Sequence, residues 1–98
     1  GYGPTAMSIF VEALSSPNDW IREKSVESIA KIGGREAVNY LLKTLNDSES
    51  SVRIAAINAL GQLKDRYALP ALDALAANRD EREISRLARQ AIAAIHAG

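Results

Sequence analysis

The feature that most restricts the fold of this chain is an internal repeat. Ala6, Met7, Phe10, Val11 and Leu14 align with Ala37, Val38, Leu41, Leu42 and Leu45 at an offset of 31 residues. The same offset carries Ile21-Arg22 onto Val52-Arg53, Val26 onto Ile57, Ile29 onto Leu60 and Ile32 onto Leu63, so both halves of the unit recur in register. A third copy opens at Arg66, where Ala68, Ala71, Leu72 and Leu75 match Val38, Leu41, Leu42 and Leu45 at an offset of 30. Its second half slips: Leu87, Ala91, Ile92 and Ile95 match Val52, Ala56, Ile57 and Leu60 at an offset of 35. That slip predicts about five inserted residues around Asn78 to Ser85, in a helix or in a loop.

Each half-unit is an amphipathic helix by its spacing. Val38, Leu41, Leu42, Leu45 and then Val52, Ala56, Ala59, Leu60, Leu63 recur at three and four positions, and no segment alternates as a strand does. Ala, Leu, Glu, Lys, Arg and Gln dominate these segments, so intrinsic propensity agrees with the pattern. Ser16 before Pro17, Asp47 and Asp65 stand where helix caps belong, and Asp80 with Glu83 spells a capping box. Gly33-Gly34 and Gly61 mark left-handed or closely packed positions near the ends of second helices. Helices are therefore predicted near 5–15, 18–32, 35–46, 48–64, 66–78 and 81–97.

A single helix pair has too little surface to bury its own stripe, so neighbouring pairs must stack and share a core, for which about three repeats are needed. The expected fold is all-α, a right-handed α-solenoid of about three antiparallel helix pairs, six helices in all. Its repeats span about 3–33, 34–64 and 65–98 of one domain covering 1–98. Gly1 to Thr5 aligns with Ile32 to Glu36, so the chain opens where a loop between repeats would lie, with Gly3 and Pro4 as turn residues. A module taken from a longer array is the expectation that follows.

Composition removes several classes of function. Twelve basic residues face 12 acidic ones, so no net charge draws the chain to phosphate backbones or anionic lipid, and nucleic acid is an unlikely partner. Cysteine is absent, which removes disulfides, thiolate metal sites and Cys nucleophiles. Apolar runs such as Ile92-Ala93-Ala94-Ile95 fall far short of the roughly 20 residues that span a bilayer. No signal peptide pattern is present, and the cytoplasm is the default location.

The residues also resemble a known family. Arg35-Glu36-Ala37-Val38-Asn39-Tyr40-Leu41-Leu42 followed by Val52-Arg53-Ile54-Ala55-Ala56-Ile57-Asn58-Ala59-Leu60-Gly61 is similar to the short HEAT-like repeats of the phycobilisome-lyase type, and Leu69-Pro70-Ala71-Leu72 restores that family's proline. Ankyrin and tetratricopeptide signatures are missing, and standard HEAT or armadillo units are longer, at about 40–47 residues. The resemblance implies a ladder between neighbouring repeats, built from an Asp and an Arg six residues apart: Asp47 with Arg53, and Asp80 with Arg86. Repeat one departs, having Ser16 beside Arg22. Two roles follow from the resemblance, a protein-binding scaffold and an accessory, non-catalytic part of a bilin lyase-like protein that presents a chromophore protein. The family's metal-binding hydroxylase branch uses repeated His-Glu pairs, which this chain lacks.

Chemistry finds little footing. His96 is the only histidine, stands in the last turn and forms no cluster, so no metal or other cofactor is expected. The serines at 15, 16, 25, 28, 48, 50, 51 and 85 fall at caps, turns or helical positions without a nucleophile elbow. Gly33-Gly34 lacks the strand, the further glycines and the lysine of a phosphate loop. Arg79, Arg82, Arg86 and Arg89 are interleaved with Asp80, Glu81 and Glu83, which describes a solvated helix face with local pairs.

The chain is therefore expected to be no enzyme and to bind another protein on the outward side of its second helices, which lines the concave surface of such a stack. Helical spacing projects Glu23, Glu27 and Lys31, then Ile54, Asn58 and Gln62, then Arg89 and Ala93 onto that side. Trp20 is either a binding anchor or a cover for the open end of the core. Self-association through exposed end helices is the alternative use of the surface.

Overall fold

A computed structural model of the chain describes residues 5–98. The turn expected at Gly3 and Pro4 lies outside the described residues. Six α-helices follow in order: α1 Ala6–Ala13, α2 Asp19–Ile32, α3 Gly34–Thr44, α4 Ser50–Leu63, α5 Leu69–Ala76 and α6 Arg82–Ala97. A 3-10 turn, Arg66–Ala68, precedes α5, and no strand occurs among the described residues. The helices pack as the pairs α1–α2, α3–α4 and α5–α6, while α4 lies against both α2 and α6. The architecture is a small α-solenoid, 46 × 29 × 15 Å. The 15 Å thickness is that of two helix layers, an interaxial distance of about 10 Å plus a Cα radius of about 2.3 Å on either side.

One core runs through the stack. Val26 and Ile29 of α2, Val38 and Leu41 of α3, Val52, Ile57 and Leu60 of α4, Leu72 of α5, and Ile84 and Ile95 of α6 belong to a single buried cluster. Burying such a side chain stabilises the fold by about 1.5–3 kcal/mol. The first helix contributes no buried residue; its Met7, Phe10, Val11 and Leu14 are half-covered, against the core on one side only. Ile9, Trp20 and Ile21 are exposed in the same repeat.

Turn chemistry differs from the sequence expectation in an instructive way. Ser16, Asp47 and Asn78 each accept from the backbone N–H two residues on, at Asn18, Glu49 and Asp80. Each oxygen is thereby used in the loop and not on the following helix, so Ser16 and Asp47 are loop residues, not caps. Asn18 caps α2 instead, accepting from Trp20 N–H. The predicted capping box of Asp80 and Glu83 does not form, because α6 starts from Glu81 with no side-chain cap. Asp65 does cap as predicted, accepting from Tyr67 N–H. Its helix opens as a 3-10 turn because Pro70 has no N–H to return to Arg66.

The third repeat carries one inserted residue rather than five, and its first half is offset by 31 rather than 30, Ala37 and Leu41 being matched in burial by Ala68 and Leu72. The α4 and α6 N-caps are Glu49 and Glu81, and Val52, Ala56 and Ala59 are matched in burial by Ile84, Ala88 and Ala91, an offset of 32 throughout. The 35-residue match arose from alanine and isoleucine recurring along α6, whose apolar stripe aligns nearly as well after a slip of three.

Gly33 (φ 72°) and Gly34 (φ 84°) join α2 to α3 without a longer loop, a backbone path that a Cβ would strain. Gly61 has a different task. A Cβ there would stand 3.1 Å from both Cα and Cβ of Ala91, so the missing side chain lets α4 and α6 approach. Gly61→Val should destabilise the protein by about 1–3 kcal/mol through overpacking, despite the gain in helix propensity. The midpoint of urea unfolding checks this, and Gln62→Val on the exposed side serves as the control.

Candidate functional site

Polar links fasten the repeats at one edge of the stack. Arg22, on the first turn of α2, donates Nη1–H to Ser16 O in the turn of its own pair, and forms a two-pronged bond to Asp47 of the next repeat at 2.9 and 3.1 Å. Arg53 repeats the pattern from α4, donating to Asp47 O and reaching Glu81 of the third repeat at 3.4 Å. Asp47 and Arg53 thus stand in the ladder, but not as each other's charge partner. Asp80 and Arg86 stand outside it: the one-residue insertion gives Ser85 the place of Arg53, and the acid that meets Arg53 is Glu81. Ser85 donates its hydroxyl to Ala76 O, so a neutral group replaces the arginine at the end of α5.

The Arg22–Asp47 pair is largely covered, 13% of each side chain being exposed. Burial alone would push the Asp47 carboxyl up, but the Arg22 guanidinium, the Glu49 N–H and the charge of Arg53 outweigh it and hold it below the usual carboxylate range. A second clip lies on the opposite layer, where Arg35 bonds Asp65 at 2.7 and 3.1 Å and stacks over Tyr67. There the guanidinium and the Tyr67 N–H keep the Asp65 carboxyl low. Sequence reasoning missed this clip; the signal was an arginine opening α3 and an aspartate opening the next unit.

The outward sides of α2, α4 and α6 form two adjoining grooves. Between α2 and α4, Glu23, Glu27, Ser51, Ile54, Asn58 and Gln62 line a depression of about 290 Å³. Between α4 and α6, Asn58, Gln62, Lys64, Gln90 and Ala94 line one of about 450 Å³, floored by Gly61 and Ala91. Five of the residues projected from sequence, Glu23, Glu27, Ile54, Asn58 and Gln62, therefore meet in one groove.

Lys31 is exposed but lines neither groove. Trp20 is 60% exposed, with Lys24 Nζ 5.7 Å from its ring centre, and is not part of the buried core cluster. Arg89 and Ala93 are displaced by the same three-residue slip, which turns them about 60° around α6. Arg86, Gln90 and Ala94 take the matching positions at the 32-residue offset.

Nothing in the grooves resembles catalytic machinery. His96 is exposed in the last turn of α6, and no three His, Asp or Glu side chains gather as metal ligands would among the described residues. No helix among them is long and apolar enough to cross a membrane. The sequence profile of HEAT repeats matches residues 7–93. No curated protein sequence matches the chain.

The ladder carries a pH signature. A carboxyl depressed in the folded state stabilises the fold above its unfolded value, about pH 4, and that contribution is lost as pH falls through the depressed value. Asp47→Asn should therefore lower the urea midpoint at neutral pH and narrow the difference between neutral and acidic midpoints. An unchanged difference would show that the pair adds no stability.

Proposed function

Because this chain belongs to the HEAT-repeat family, whose repeats commonly serve as interaction scaffolds, we propose that it is a protein-binding module that holds a segment of another protein along the outward sides of α2, α4 and α6. The observation that carries the reading is the sharing of Asn58 and Gln62 by two adjoining grooves, which makes a continuous strip from Glu23 to Ala94. A strip of amides and carboxylates around Ile54, with alanines along its floor, suits hydrogen bonding and apolar contact to an extended or helical peptide. The balanced charge favours a protein over nucleic acid. No catalytic step is assigned to the chain.

The 31-residue unit and the run from Val52 to Gly61 support placing these repeats in the short, phycobilisome-lyase-type class. In that setting the module is an accessory that presents a protein and leaves bond formation to others. Adding a bilin with its acceptor protein should leave the absorption spectrum unchanged.

Affinity capture with the wild-type chain, followed by titration of the partner recovered, tests the site. Glu27→Arg with Asn58→Arg should weaken binding by at least about tenfold, because two new charges enter a desolvated contact. Asn39→Arg, on an exposed position of α3, should leave it unchanged. Binding that survives the first pair of substitutions places the site elsewhere.

A further inference from the structure

The third repeat carries a second surface. Asn78, Arg79, Arg82, Ser85, Arg86 and Arg89 line a concavity of about 460 Å³ beside the start of α6. The local pairs expected for these arginines do not form. Ion pairs among the described residues join Arg22 to Asp47, Lys24 to Glu27, Arg35 to Asp65 and Arg53 to Glu81, and none of the four arginines is among them. Asp80 and Glu83 are interleaved with them in sequence but line no part of the concavity. Four like charges around one hollow repel one another, and none of them is neutralised by a direct ion pair among the described residues.

Internal junctions of the same protein indicate what such a hollow receives. At each, an arginine near the start of a second helix reaches back to a carbonyl in the turn of its own pair and forward to a carboxylate of the next unit. In the third repeat Arg89 makes the backward contacts, to Ser85 Oγ at 2.7 Å and to Ala76 O at 3.4 Å, and makes no ion pair with a carboxylate among the described residues. It also stands where Val26 and Ile57 bury an apolar side chain against the following repeat. Solubility asks only that a terminal face be polar, whereas a hollow lined by charge of one sign is suited to binding the opposite charge.

We propose that this concavity seats the carboxylates of an acidic peptide segment on a partner protein. Planar guanidinium groups bind carboxylates in the two-pronged manner already seen at Arg22–Asp47. A second copy stacked head to tail fits less well, since Ser16 and Asn18 stand on repeat one at the places of Asp47 and Glu81, and both are neutral. This surface is separate from the groove on α2 and α4, and it stands or falls independently of it.

Fluorescence anisotropy with a labelled oligo-glutamate peptide tests the proposal, with oligo-glutamine of equal length and oligo-deoxythymidylate as comparisons. Oligo-glutamate should bind, and weaken as salt rises. Arg82→Gln with Arg86→Gln should weaken it by at least about tenfold while the thermal melt stays in place, since both side chains are exposed. Glu27→Arg with Asn58→Arg, which tests the groove, should leave it intact. The proposal is overturned if oligo-glutamate binds no better than oligo-glutamine, or if the Arg82/Arg86 variant binds it as the wild type does. Equal binding of oligo-deoxythymidylate in the same buffer would reassign the hollow to phosphate. Concentration-dependent mass in sedimentation, lost in the Arg82/Arg86 variant, would reassign it to self-association.

Discussion

The structure depends on α4 being wanted on two sides at once. Val52, Ala56, Ile57, Ala59, Leu60 and Gly61 are all buried, which leaves this 14-residue helix with a buried arc far wider than one partner helix requires. Its first side closes the α2 core around Val26 and Ile29, and its second receives α6 at the Gly61–Ala91 approach. Neither outer pair has a comparable arrangement. With no buried residue of its own, α1 is an end layer, and α6 replaces the junction isoleucine by Arg89. Stability is thus concentrated at the middle and falls toward the ends, as nearest-neighbour coupling of repeats requires.

The polar groups follow the same logic at lower energy. An oxygen at Ser16, Asp47 and Asn78 folds each turn between first and second helix in the same way, so the pairs present arginine at the same edge. Arg22 and Arg53 then tie turn to turn across the junctions. Because the ladder occupies one edge and the core the interior, the polar side chains on the outward sides of α4 and α6, such as Asn58, Gln62 and Gln90, stay exposed, and neighbouring helices set the groove widths between them.

Most of the architecture was legible because a buried stripe repeats when the units repeat. Phe10 against Leu41 and Val26 against Ile57 needed no structure to be matched. The meeting of Glu23, Glu27, Ile54, Asn58 and Gln62 in one groove was legible for the same reason: a shared period puts equivalent residues on a shared side. The last helix defeated that reasoning. Alanine and isoleucine recur so evenly along α6 that a slip of three preserves the apolar match, and only the turn at Asn78 and the start at Glu81 decide the register. A wrong register places Arg89 in the groove, and the six-residue spacing alone places Asp80 and Arg86 in the ladder. The arginine hollow is illegible for a different reason, since interleaved acids suggest pairing and only geometry shows that no ion pair forms with these arginines.

Native-state hydrogen exchange, resolved by residue, tests the sharing of α4 most directly. If neighbouring pairs seal one core through this helix, the amides of Ala56 to Leu60 exchange slowest, with an opening free energy equal to that of global unfolding, and protection declines toward α1 and toward the end of α6. If instead the three pairs protect themselves separately, with α5–α6 or α1–α2 as slow as α4, the stack is not held by a common core and the account fails.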